Sequence, residues 1–285
     1  MSKAPPRARN AGKVPTRLRS AGCVAGARQQ SQPAVAQALA PAAPGAFWWE
    51  LDASAVRHDD ALAFICKTRA AALPQRVLAL HGAASNAAAT EKQIEDLGLS
   101  GRLDVVHLRA PLRVGAGAFS WWPAGGGAAA DVETALRGVM KFVAKHGPFH
   151  ALYGFDQGAT IAAALSSRGV AEAFKGARSW QFVICAAAVA DAFDAIDALV
   201  EATRQTTPGL SVFDKGSAEL PSLHVIGMMD HAHRDDAIRL SKVFAYATNV
   251  FHDGGHDVPG PGQGDALFKM TLDAFVTCPM MAPSV

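Results

Sequence analysis

The chain has 285 residues, half of them apolar, and its 27 Lys and Arg nearly balance its 25 Asp and Glu. That suits one globular α/β domain with a tail better than two full domains. No apolar run reaches the roughly 20 residues of a membrane span, so none is expected. The four cysteines, Cys23, Cys66, Cys185 and Cys278, form no C-x-x-C pair and no Cys/His cluster. Neither structural zinc nor a disulfide framework is expected, and a reduced compartment is the simplest setting.

The charge is unevenly spread. Residues 1–49 hold 7 Lys and Arg and no acid, which leaves 20 basic against 25 acidic residues, a balance of −5, in the remainder. The tail is rich in Ala, Pro, Arg and Gln and cannot bury enough apolar area to fold alone. We read residues 1–46 as a disordered basic tail or a mitochondrial or plastid transit peptide, and 47–285 as the folded domain. Without targeting the protein is cytoplasmic. Nucleic-acid binding is not expected, because the body is acidic and lacks interleaved basic and aromatic residues.

Along the chain, residues 58–73 allow a helix. RVLALHG (76–82) and LDVVHLRAP (103–111) read as buried strands, ended by glycine and proline. GAGAFSWWPAGGG follows as a glycine-rich loop, too flexible for a sheet. DVETALRGVMKFVAKHG (131–147) has amphipathic helical spacing and a C-terminal glycine signal. HALYG is a strand that runs into GFDQG (154–158) and then into the small-residue helix ATIAAALSS. SWQFVICAAAV (179–189) is a strand, and residues 191–219 suit a small helical cover. PSLHVIGMMD (221–230) is a strand, RDDAIRLSKVFAY (234–246) a helix, TNVFHDGGHDVP (248–259) a strand with a glycine loop, and DALFKMTLDAFVT (265–277) a closing helix. Alternating strands and helices imply a mostly parallel sheet with helices on both faces and a small lid.

GFDQG has the form of the nucleophile elbow G-x-S-x-G, with aspartate in place of serine. The elbow needs a strand, a tight turn and a helix, and its flanks supply them. Three acid–base candidates, Asp156, Asp230 and His256, fall at the C-terminal ends of expected strands, where open α/β sheets carry their sites. Their order is nucleophile, acid, histidine, as in α/β-hydrolases. In that division His256 moves protons and Asp230 orients its ring. The backbone N–H groups of Gln157 and Ala83 are the candidate oxyanion hole, and His81 is read as a structural brace. Trp121 and Trp122 either line a pocket or cover the core. His231 and His233, with Asp235 and Asp236, read as a solvated loop and helix start rather than a metal site, and no cofactor is expected.

The pieces VLALHGAASN, FSWWP, KHGPFHALYGFDQGA, PSLHVIGMMD and HDGGHDVP, spread over about residues 76–277, resemble the FSH family of serine hydrolases. The resemblance implies an α/β-hydrolase fold, esterase-like activity on small acyl substrates and a Ser-Asp-His triad. Asp230 and His256 match that triad, whereas the family serine is Asp156 here.

A carboxylate needs no base to attack, but its attack on an ester carbonyl gives an anhydride. Attack at an sp³ carbon suits it better, giving an alkyl-enzyme ester that His256 would hydrolyse through water. Haloalkane dehalogenases and epoxide hydrolases resemble this arrangement. However, no pair of lid tyrosines is evident, and Gln157 stands where dehalogenases often carry a halide-binding tryptophan. The competing reading is a hydrolase-fold protein that binds a small ligand or partner without hydrolysing it. Between Asp156 and Asp230, His256 is expected to have a raised pKa.

Overall fold

The computed structural model describes residues 74–175, 180–203, 211–264 and 266–277. The expected tail (1–46), the expected domain start at 47 and the helix expected over 58–73 lie outside the described residues.

Six strands form one parallel sheet. In chain order they are β1 (Gln75–Leu80), β2 (Leu103–Leu108), β5 (Ala151–Phe155), β6 (Phe182–Ala186), β7 (Ala218–Gly227) and β8 (Phe244–His252). In space they lie β2-β1-β5-β6-β7-β8. Every neighbouring pair is parallel, so the strands must be joined by crossovers that cover the faces. The helices are α1 (Ala87–Asp96), α2 (Ala129–His146), α3 (Gln157–Ser166), α4 (Arg168–Ala173), α5 (Phe193–Thr203), α6 (Arg234–Ser241) and α7 (Ala266–Thr277).

The two-residue period of the strands sorts their side chains into two cores. Leu78, Leu80, Leu152, Val183 and Cys185 face α2, α3 and α5. Val77, Ala79, Tyr153, Ile184 and Val225 face α1 and α7. Helix α5 buries Phe193, Ile196 and Val200 in the first of these cores, so the expected cover is itself a packed layer. Among the described residues no helix is long and apolar enough to cross a membrane.

Two expectations need correction, and one helix is new. The glycine-rich loop is not wholly irregular: Phe119–Ser120 forms β4, antiparallel to β3 (Leu112–Arg113), and Phe119 also bridges Ser85. Buried Ser120 and the Ser85 bridge anchor a segment that glycine content alone would leave free. The helix expected over 234–246 stops at Ser241, and Phe244–Tyr246 opens β8. An aromatic run favours a strand, and β7 offers the partner: Ala218 pairs with Phe244 and Pro221 with Tyr246. Helix α1 carries no strong apolar periodicity and was not expected. Its N-cap signal is Asn86, whose side chain accepts the Ala89 N–H, satisfying one of the orphan donors of a first turn.

Candidate active site

Strand β5 enters the site and α3 leaves it, and Asp156 is the turn between them. Asp156 has φ 53° and ψ −119°, a left-handed conformation that costs a side-chain residue about 1–3 kcal/mol. Its amide donates to the Ala186 carbonyl at 3.0 Å, tying the turn to the end of β6. The flanking glycines are required by close approach. A Cβ on Gly154 would lie 2.3 Å from the Gly158 carbonyl oxygen, and one on Gly158 would lie 2.2 Å from that of Leu80. Strand and helix are therefore pressed together over the end of β1, which leaves Asp156 standing at the sheet's C-terminal edge.

Asp230 and His256 come from the ends of β7 and β8. Asp230 is buried. Its Oδ1 accepts the His233 N–H at 3.1 Å, and its Oδ2 meets His256 Nδ1 at 2.7 Å. Nε2 of the same ring faces Asp156 Oδ1 at 3.6 Å. Asp156, Asp230 and His256, chosen from motif and order, thus meet in one chain of contacts: carboxylate, imidazole, carboxylate.

The second oxygen of Asp156 is also committed. Its Oδ2 accepts the Ala83 N–H at 2.6 Å, the donor expected for the oxyanion hole. The Gln157 amide belongs to the first residue of α3, whose first four N–H groups have no partner within the helix. The positive end of α3 favours the carboxylate there.

The Gln157 side chain does something the sequence did not indicate. Buried, it accepts the Trp121 N–H at 3.0 Å and donates to the Trp122 carbonyl at 3.3 Å. Trp121 and Trp122 are 2% and 0% exposed, which corrects the pocket-lining expectation: both indoles are core. Their N–H groups are spent inside the protein, Trp121 Nε1 on the His81 carbonyl at 2.7 Å and Trp122 Nε1 on Asp191 Oδ2 at 3.1 Å. A pair of large apolar rings next to a buried glutamine clamp gains more by packing than by facing a cleft. His81 is the brace expected of it. Its Nε2 accepts the Ala110 N–H at 3.0 Å, so Nδ1 carries the hydrogen shared with the Gly82 carbonyl at 2.7 Å. Burial pushes its pKa below the usual histidine value, against the pull of the Gly82 carbonyl and Asp156.

His256 behaves oppositely. Burial works to lower its pKa, but hydrogen bonding and charge from Asp156 and Asp230 outweigh it and raise the pKa to about 9. The imidazolium expected from two flanking carboxylates is the resting form at neutral pH. Two further residues reach the site. His233 lies at the helix start, as expected, but its ring sits 5.0 Å from that of His256. The signal was its spacing: a backbone N–H three residues after Asp230 closes a turn on that carboxylate. Asp191, at the far end of the Trp122 bond, has its pKa raised by burial and by the charge of Asp156. Among the described residues, no group of His, Cys, Asp and Glu is arranged to hold a metal ion.

The sequence profile of the family described as serine hydrolase (FSH1) matches residues 71–263. No curated protein matches the chain. Among solved structures, a carboxylesterase from Mesorhizobium loti is similar with a TM-score of 0.51 at 12% identity, over 74% of this chain and 92% of its own. The esterase PE8 is 20% identical with a TM-score of 0.48, over 72% of this chain and 92% of its own. A Bacillus cereus carboxylesterase is 14% identical with a TM-score of 0.46, over 70% and 86%. The first of these likenesses concerns the fold, an α/β-hydrolase sheet with helices on both faces.

Proposed function

Because the chain belongs to the FSH1 serine hydrolase family, we propose that it carries an esterase-like site for small acyl compounds that its own elbow carboxylate holds closed. The observation behind this reading is the 2.6 Å bond from the Ala83 N–H to Asp156 Oδ2. In a serine hydrolase that donor receives the oxygen of the attacked carbonyl. Here the carboxylate occupies the donor itself and pairs with His256 through its other oxygen. The native site resembles a bound anionic intermediate and turns over no ester.

Replacing Asp156 with Ser tests this. Serine would free the Ala83 N–H, restore a hydroxyl for His256 Nε2 to deprotonate and remove one carboxylate from that histidine. Hydrolysis of p-nitrophenyl butyrate should rise by about 10²-fold or more over the native protein. A correctly folded Asp156→Ser protein as inert as the native one would refute the reading.

A second reading has its own support. Oδ1 of Asp156 stands at 3.6 Å from His256, the geometry of a carboxylate nucleophile with its second oxygen held by an amide. Attack on an sp³ carbon would form a C–O bond, expel the leaving group and neutralise Asp156. The pKa of His256 would then fall, letting it accept a proton from water in the hydrolytic step. The indole N–H groups of Trp121 and Trp122 are occupied, Tyr153 is buried, and Tyr246 lies exposed on β8, so among the described residues these side chains do not supply the usual leaving-group partners of such enzymes. Intact-mass analysis after incubation with epoxides and haloalkanes decides: an adduct on Asp156 establishes this chemistry, and an unmodified, inactive protein excludes it.

A further inference from the structure

On the α2 side of the sheet, a cavity of about 500 Å³ opens between α2, α3, α4 and Trp180. That volume falls within the roughly 300–1,000 Å³ of small-molecule sites, which are mostly apolar with a few placed polar groups. Its walls include Met140, Val143, Leu165, Val170, Phe174 and Trp180. The indole N–H of Trp180 donates to Ser166 Oγ at 3.0 Å, so its polar edge is satisfied within the protein. Among the described residues, the charged ones that line the cavity are Lys141 and Lys175. Among the described residues, neither is in an ion pair. Arg137 adds a third positive charge nearby, with its guanidinium 4.8 Å from the centre of the Phe174 ring. It is already matched by Glu133 at 2.7 Å.

Lys175 is also held in an unusual place. It follows the C-cap of α4 with φ 51°, a position that ordinarily takes glycine because the left-handed region strains a Cβ. A lysine kept there brings its charge to the cavity at a conformational cost.

We propose that this cavity binds a long-chain carboxylate, with the alkyl tail against Val143, Leu165, Phe174 and Trp180 and the head group at Lys141 and Lys175. An inorganic anion would answer the lysines but leave the apolar walls in water. A neutral hydrocarbon would fill the walls but leave two unmatched cations at the rim. An amphipathic monoanion satisfies both, with the lysine stems lying along apolar surface and their ammonium groups at the edge. The site shares no residue with the Asp156 centre and is independent of the function proposed for that centre.

The test is quenching of tryptophan fluorescence by doxyl-labelled stearic acid, below its micelle concentration, on the full chain. Saturable one-to-one quenching is expected and should disappear in Trp180→Phe. Unlabelled saturated carboxylates should displace the probe, each added methylene tightening binding by about fourfold until the walls are covered. Lys141→Glu combined with Lys175→Glu should weaken binding by about tenfold, as two surface ion pairs reversed, and stearyl alcohol should compete as weakly. Asp156→Ser should bind as the native protein does. Absence of saturable quenching, quenching that survives Trp180→Phe, or equal binding of alcohol and carboxylate would each overturn the proposal.

Discussion

The two limbs of the candidate site are built on different terms. The elbow limb, β5 to α3, is close-packed backbone: Gly154 meets Gly158, Gly158 meets the end of β1, and α3 is buried along its whole length. The acid–histidine limb, after β7 and β8, is loop. Met228 and Met229 are exposed, and the His256 side chain keeps a third of its surface in water. Glycine-locked backbone tolerates almost no change in shape, yet Asp156, which stands where the G-x-S-x-G elbow pattern has serine, sits on that limb. The frame constrains backbone geometry and leaves the identity of the elbow side chain open, provided the new one finds partners. Asp156 finds them in Ala83 and His256.

The hardest test of that contrast is Gly158→Ala. Its methyl would fall 2.2 Å from the Leu80 carbonyl oxygen, a backbone atom that cannot step aside. Overpacking there should cost about 2–4 kcal/mol, read as a lower urea midpoint at unchanged slope. A stable Gly158→Ala protein would mean the elbow limb is not locked as described.

The next effect concerns how the elbow holds its surroundings. Gln157→Ala strands the Trp121 N–H and the Trp122 carbonyl. Two buried polar groups without partners should cost about 1–3 kcal/mol, with a red shift of tryptophan emission as the 119–122 segment loosens. A loss confined to stability with no spectral change would place the cost elsewhere than in this clamp.

These residues mark what could and could not be read from the sequence. The elbow, the strand ends and the order of Asp156, Asp230 and His256 were legible, because each rests on local signals: glycine spacing, apolar runs and strand-terminal polar residues. The hairpin of β3 and β4 was not, since two-residue strands have no periodicity and depend on a partner across the turn. The end of α6 was missed because helical spacing runs through Ser241, while the pairing that ends it, Ala218 with Phe244, is remote in sequence. The Gln157 side chain and the burial of both tryptophans belong to the same class. Their roles arise only once α3 is packed against the 119–122 segment.

A smaller effect separates the limbs electrostatically. The pKa of His256 is raised to about 9, above the roughly 6.5 of an unfolded chain. The folded state therefore holds the proton more tightly. The stability this adds is complete below about pH 6.5 and disappears as pH rises through about 9. Asp156→Asn removes one carboxylate, so the NMR titration of the His256 ring should move down and the alkaline fall in melting temperature should shrink. An unchanged midpoint would show that Asp230 alone sets the histidine.

The smallest expected effect is the sharpest control. Gly255 lies on the loop limb, one residue before His256, and a Cβ there would meet nothing within 4 Å. Its φ is outside the left-handed region, so alanine fits the existing backbone. Gly255→Ala should change stability by less than about 0.5 kcal/mol and leave the His256 titration where it was, since the Gly255 carbonyl that packs on Gly227 is retained. Its neighbour across that contact differs: a Cβ on Gly227 would fall 2.1 Å from the Gly255 oxygen. Urea titrations of both alanine variants therefore locate the boundary between locked and adaptable backbone. If Gly255→Ala costs as much as Gly158→Ala, the histidine loop is as rigid as the elbow and the contrast between the limbs fails.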